Sequence, residues 1–150
     1  MAETSITHVQ TGERITFVQE DPLVMEDEVP AGGGRGREHV HPSQTESFEV
    51  ISGSYTLVVD GEPRDLGAGD TAEIPPGAVH SGGTEEGAVL RITFTPALRW
   101  EQFVRRLFAV ANEQRQQRKF IDNGSAFRKA GERYAGLEGK LPKASAADDS

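Results

Sequence analysis

Residues 39–46 read His39-Val40-His41-Pro42-Ser43-Gln44-Thr45-Glu46, and residues 75–80 read Pro75-Pro76-Gly77-Ala78-Val79-His80. The chain has 4 histidines, and three of them fall in these two stretches. In extended backbone, residues i and i+2 face the same side, so His39 and His41 can offer two imidazoles to one point. Pro42 to Thr45 makes a turn, and Glu46 opens the returning strand with its carboxylate directed back to that point. His80 lies far along the chain, after a rigid Pro-Pro-Gly approach. Three neutral imidazoles and one carboxylate form an N3O set. Such a set suits Fe, Mn, Ni, Zn or Cu(II), and it disfavours calcium, which prefers oxygen ligands.

Working outward, the pattern up to Pro96 is that of strands. Arg14 to Val18 and Leu23 to Met25 are short apolar-rich runs. Ser47 to Ile51 and Tyr55 to Val59 follow, and Ser52-Gly53-Ser54 between them reads as a break. Asp60-Gly61 reads as a tight hairpin turn, because both residues accept positive φ. Gly67, Gly69 and Asp70 mark another turn, and Pro75-Pro76-Gly77 a third. In Val89 to Thr95, Leu90, Ile92 and Phe94 share one face while Arg91 and Thr93 share the other. Many short strands with Gly and Pro punctuation predict an all-β sandwich or barrel. Beyond Pro96 the period becomes helical. Thr95 is a candidate cap with Pro96 at the first helical position. Trp100, Phe103, Val104, Leu107, Phe108 and Ala111 form one apolar stripe on a helix of roughly four turns. Asn123-Gly124 is a stop signal, and Ser125 is a candidate cap for a short second helix through Tyr134. The expected organisation is a β-barrel over 1–96, a helical extension over 97–136 and a disordered tail over 137–150.

The spacing also resembles a known family. Gly33, five residues, His39-Val40-His41, four residues, Glu46, six residues and Gly53 resemble the first cupin motif. Gly69, five residues, Pro75-Pro76-Gly77, two residues and His80 resemble the second, with 15 residues between Gly53 and Gly69. Thr84 stands where the second motif usually closes with Asn. That position is not a ligand in the family pattern, so the departure concerns a loop contact. The resemblance implies a double-stranded β-helix (jelly-roll) barrel, here followed by one long and one short α-helix. It also implies one metal inside the barrel near one mouth, held by His39, His41, Glu46 and His80, and a homodimer. Cupins include dioxygenases, decarboxylases, lyases, isomerases, cyclases and plain binding domains, so the motifs fix no reaction.

Composition narrows the field. The chain has 150 residues and a formal net charge of −8, with no cysteine, which excludes disulfides, thiolate chemistry and Cys-rich zinc sites. Residues 1–98 hold five Arg, no Lys and 17 Asp or Glu, whereas residues 99–150 hold 11 Lys or Arg and seven Asp or Glu. An acidic barrel is a poor nucleic-acid surface, so no nucleic-acid partner is expected. No apolar run is long enough to span a bilayer and no signal peptide is visible, which leads to the expectation of a cytoplasmic protein. The Trp100–Ala111 stripe carries Arg99, Arg105, Arg106 and Arg115, a membrane-surface pattern. Packing on the barrel or on a second subunit is the preferred reading, because a small barrel benefits from a covered face. Gly32 to Gly36 lacks the Gly-Lys-Ser/Thr ending of a phosphate loop, and no Gly-x-Ser-x-Gly elbow exists.

The remaining candidates concern the substrate. Phe48 and Val50 share the strand parity of Glu46, so they are expected to point inward and make an apolar pocket wall. Arg91 either faces the pocket as a substrate anchor or pairs with an acidic neighbour. Arg35 and Arg37 read as solvated arginines in preference to an anion clamp. His8 reads as a surface histidine, and Tyr55 as a distant acid–base candidate. Glu46 is a candidate general base should it loosen from the metal. The expected activity is metal-dependent and oxygenase-type, on a small organic molecule, with Fe or Mn favoured over Zn, Ni or Cu. The alternatives are a non-redox isomerase, cyclase or lyase, or a module that only binds a small ligand.

Overall fold

A computed structural model describes residues 4–34 and 36–121. It contains eight strands followed by one helix: β1 Ser5–Thr7, β2 Arg14–Glu20, β3 Leu23–Val29, β4 Thr45–Val59, β5 Glu62–Gly67, β6 Thr71–Ile74, β7 His80–Gly83, β8 Ala88–Thr95 and α1 Trp100–Ile121. All pairings are antiparallel. The first sheet runs β1-β2-β3-β8-β4-β6, and the second runs β5-β4-β7. The two sheets share β4. Its first half pairs with β8 and β6, and its second half with β5 and β7.

This corrects the expected break at Ser52-Gly53-Ser54. The segment is a bend within one 15-residue strand, with a register shift between Val50 and Ser52 opposite β8. A bulge adds a residue to one side of the ladder and sharpens the local twist, which carries the chain from one sheet to the other. Gly53 sits at φ +78°, and a Cβ there would collide with the Gly87 carbonyl oxygen. Only glycine permits both the conformation and the approach. The Asp60-Gly61 turn joins β4 to β5 with φ of 49° and 82°, as the two-residue hairpin requires.

Side chains alternate as a half-buried sheet demands. Leu90, Ile92 and Phe94 of β8 face the core together with Leu23, Met25 and Val29 of β3, and with Phe48 and Val50 of β4. A buried side chain of this size contributes roughly 1.5–3 kcal/mol. The core therefore rests mainly on the first sheet.

The helix begins at Trp100, so Thr95-Pro96 lies before it and neither caps nor opens it. The Gln44 amide donates to the carbonyls of Pro96 and Ala97 (3.0 and 2.9 Å), which ties this connection to the turn between His41 and Glu46. At 22 residues α1 is longer than the apolar stripe alone indicates. Val104 and Phe108 are buried, and Trp100 and Phe103 pack against the same core. Asn112 fastens the far end of the helix, accepting from Val9 N–H and donating to the Thr7 carbonyl, both at 2.9 Å. The stripe thus covers its own barrel. No helix among the described residues is long and apolar enough to cross a membrane. The expected short helix at Ser125–Tyr134 and the tail over 137–150 lie outside the described residues.

Candidate metal centre

Backbone pairing brings the ligand candidates together. His39 and His80 form an isolated bridge with reciprocal N–H to carbonyl bonds of 2.9 Å. His41 is held by its carbonyl, which accepts from Gly77 N–H at 3.0 Å. Glu46 projects from β4 between Phe94 of β8 and Ile74 of β6. His80 opens β7, and the hairpin fixes it from below: the Asp60 carboxylate accepts from Val79 N–H at 3.0 Å, and Asp60 N–H donates to the Val79 carbonyl at 2.7 Å.

One ligand atom from each of His39, His41, Glu46 and His80 lies within 4.8 Å of all the others. His41, Glu46 and His80 are buried, while His39 sits at the solvent edge. His39 Nδ1 and His80 Nδ1 each lie 3.0 Å from a backbone carbonyl, those of Arg37 and Ala78. Such bonds place the proton on Nδ1 and leave the Nε2 lone pair for a metal. His41 Nε2 and His80 Nε2 stand 3.4 and 3.5 Å from the same Glu46 Oε1. Both nitrogens are buried without a hydrogen-bond partner. Leaving such atoms unsatisfied costs about 1–3 kcal/mol each. One cation shared by three nitrogens and a carboxylate oxygen removes that cost, so the residues present fit a divalent transition metal.

The local electrostatics agree. Burial by itself would raise the Glu46 pKa, but the His41 and His80 imidazoles beside it outweigh burial and hold the carboxyl below its usual range. Burial lowers His80, yet the Glu46 carboxylate and the Ala78 carbonyl carry its pKa above the ordinary value. His39 is lowered, first by burial and then by the neighbouring imidazoles, against the opposing pull of the Arg37 carbonyl. Glu46 is thus held in the ionised state that metal binding needs, while the proton that His80 gains from its neighbours must leave as an ion enters.

The cluster opens on a cavity of about 520 Å3 whose walls are largely apolar, with Phe48, Leu57, Ile92, Phe94, Trp100 and Val104 among them. Trp100 brings its ring to 4.5 Å from that of His41 and 5.2 Å from that of Phe94, so α1 roofs the centre. The expected inward parity of Phe48 and Val50 holds, and both are buried. Phe48 reaches the cavity, stacked at 6.0 Å on Tyr55, whereas Val50 packs in the core beside Leu90 and is not one of the cavity walls.

Arg91 is placed elsewhere. It points outward from β8 and pairs with Glu26 at 2.7 Å, so it is no substrate anchor in this cavity. Strand alternation requires this, because Leu90 and Ile92 take the inward positions on either side. Arg37 is exposed and reaches the cavity edge. Arg35 lies outside the described residues. His8 is not a free surface histidine: it is half-buried, meets the Phe108 ring edge-on at 5.4 Å and lines the cavity. Thr84 is buried and its hydroxyl oxygen accepts from Gly87 N–H at 2.9 Å, so it closes the loop from the position where the second cupin motif usually has Asn.

Sequence reasoning missed two cavity residues and undervalued a third. Asp27 is a buried carboxyl and Glu13 a half-buried one, and both line the cavity. Tyr55 is buried against the backbone of Gly34 and Gly82, where a Cβ would approach its ring or hydroxyl to 3.2 and 2.5 Å respectively. Burial, followed by the charges of Asp27, Glu13 and Glu46, pushes the Tyr55 phenol up, so it keeps its proton. The available signal for Asp27 was parity with Leu23 and Met25, obscured by the acidic neighbours Glu26 and Glu28.

An eight-stranded antiparallel barrel with three imidazoles and one carboxylate at its mouth defines a class of small metal-site jelly rolls. Residues 25–95 match the model of the cupin domain family, so the chain carries a cupin domain. An uncharacterised protein of Aquifex aeolicus is 38% identical over 68 residues, which are 45% of this chain and 56% of that relative's length. Among solved structures, an RmlC-like cupin from Shewanella frigidimarina superposes with a TM-score of 0.56 at 26% identity, covering 64% of this chain and 86% of that one. KdgF from Halomonas sp. superposes with a TM-score of 0.51 at 24% identity, covering 57% and 81%. The last likeness concerns the fold alone.

Proposed function

We propose that this cupin is a metal-dependent enzyme acting on a small organic molecule inside the barrel, with oxygenase chemistry as the leading reaction type. The observation that carries the reading is the convergence of His39, His41, Glu46 and His80 at the end of a mostly apolar cavity. A bound Fe- or Mn-type ion would supply Lewis acidity toward substrate oxygens and electron transfer to dioxygen. The chain's own residues do the rest. Four side chains leave room for substrate, and exposed His39 marks the side from which it arrives. Phe94, Trp100 and Val104 keep water from the reacting end. Glu46, held ionised, is a ligand first and a weak base second.

One observation favours a second, non-redox reading. Tyr55 and Asp27 carry protons within the same cavity, which suits isomerase, cyclase or lyase chemistry. The deciding experiment is metal content per chain by plasma mass spectrometry on untagged protein, beside His41→Ala. The expected result is near-stoichiometric iron or manganese that the variant loses, and oxygen uptake that needs both metal and substrate. Stoichiometric zinc or nickel without oxygen uptake transfers the assignment to the non-redox reading. No metal after reconstitution overturns both and leaves a small-ligand-binding barrel. The family resemblance also supports a homodimer, and a monomer mass in sedimentation would reject it.

A further inference from the structure

The cavity has a second polar pole. On β3, Leu23, Met25, Asp27 and Val29 all turn inward, so Asp27 takes a position that alternation otherwise gives to hydrophobes. Leu23 pairs with Phe94, which pairs with Glu46; four residues further along β3, Asp27 pairs with Leu90, which pairs with Val50. Four residues of strand span about 13 Å. Asp27 therefore stands toward the opposite end of the cavity from the ligand cluster. It is only 7% exposed, and its Oδ1 is buried with no hydrogen-bond partner. Glu13, from the loop before β2, lies beside it and shares a hydrogen bond with it. The other titratable groups facing this pole are Tyr55 from β4 and His8 from the N-terminal strand's loop, while Glu28 on β3 points outward to Arg14. Neighbouring β8 turns Leu90 and Ile92 inward, neither of them titratable.

We infer that Asp27 and Glu13 form a recognition site for a hydrogen-bond-donating group, an amine or a hydroxyl, at the far end of a ligand whose other end is held at the His39/His41/Glu46/His80 cluster. The chemistry follows from what is unsatisfied. With its proton engaged toward Glu13, Asp27 has an acceptor oxygen left over, and a buried acceptor asks for a donor. Two carboxyl groups sharing one proton still hold a negative charge, so a terminal carboxylate on the ligand is repelled. The ligand class is thus an elongated molecule with chelating oxygens at one end, an apolar body and an amine or hydroxyl at the other. Asp27 is retained on burial because its neutral form is strongly favoured, with a pKa raised to about 9 by desolvation and then by Glu13.

This inference rests on the metal-site reading only for the ligand's first end, and the test separates the two. The probes are hexanohydroxamate and its ω-amino, ω-hydroxy and ω-carboxy forms, titrated calorimetrically into the metal-loaded full chain. Hydroxamate oxygens chelate the ion, and the chain reaches toward Asp27. The ω-amino or the ω-hydroxy form is expected to bind at least tenfold tighter than the unsubstituted one, about the worth of a hydrogen bond to a charged group, and the ω-carboxy form more weakly. Asp27→Leu should erase that preference while the unsubstituted probe still binds. Asp27→Asn, which keeps an acceptor and replaces a carboxyl that is itself neutral, leaves the charge of the pair in place and should keep both preferences, whereas Glu13→Gln should keep the hydroxyl preference and lose most of the amine preference. Equal affinities across the wild-type series, or a preference that survives Asp27→Leu, overturn the inference. If no hydroxamate binds, hexylammonium and hexanol are titrated into the metal-free chain. Binding that depends on Asp27 then upholds this pole while the metal reading falls, and no such binding overturns it.

Discussion

Replacing Asp27 by Asn should make the protein more stable, and increasingly so as the pH rises. An unfolded carboxyl releases its proton near 3.8, whereas folded Asp27 keeps it up to about 9, because burial and then Glu13, Tyr55's neighbour in the cavity, disfavour the charge. Between those values the native state binds one more proton than the unfolded state. Stability from this group is complete below the unfolded value and drains away as the pH rises, by about 1.4 kcal/mol per pH unit. Asn has nothing to titrate. The stability difference between variant and wild type should therefore move in the variant's favour by about 4 kcal/mol between about pH 5 and about pH 8. The four histidines are common to both chains and cancel in the difference. Urea denaturation at a series of pH values reads this directly, and a change of that size moves the midpoint by about 2 M. Parallel pH profiles would refute the reasoning, since they would mean that Asp27 is ionised at neutral pH and hydrated in the folded state.

Other outcomes follow from the same geometry. The single tryptophan, Trp100, stands 4.5 Å from the His41 ring, so loading with Cu(II) or Ni(II) should quench its emission strongly, and His41→Ala should remove the quenching. Unaltered emission in a chain shown to carry the metal would place the ion elsewhere. Gly53→Ala forces a Cβ against the Gly87 carbonyl at positive φ, and should cost about 3 kcal/mol or more in thermal or chemical denaturation. Arg91→Ala removes only an exposed pair with Glu26, so metal content and ligand affinity should stay at wild-type values in calorimetric titrations.

Three of the four ligand candidates were legible because their geometry is local, whereas His80, 34 residues beyond Glu46, joined them through the resemblance to the second cupin motif. His39 and His41 are two residues apart and Glu46 follows one turn later, so backbone parity alone aims them together. The inward positions of Phe48 and Val50 and the Asp60-Gly61 hairpin were legible for the same reason. The Ser52-Gly53-Ser54 segment was not, because a bend within a strand and a break between strands share one composition. What separates them is Gly87, 34 residues away, whose carbonyl leaves room for glycine alone. His8 also fell outside local reasoning, because its neighbour is Phe108 on the C-terminal helix.

By itself the sequence determined which residues alternate, where the chain turns, and that His39, His41 and Glu46 are spaced to face one point. These depend on backbone periods of two or of 3.6 residues, which act over a few positions. Tertiary structure decided the rest. It turned Arg91 out to Glu26, brought Trp100 over His41, and set Asp27 and Glu13 across the cavity from Glu46. Each of those outcomes depends on which strands lie side by side. That is settled by burying the faces of β3, β4, β8 and α1 in one core, a choice made by the whole chain at once.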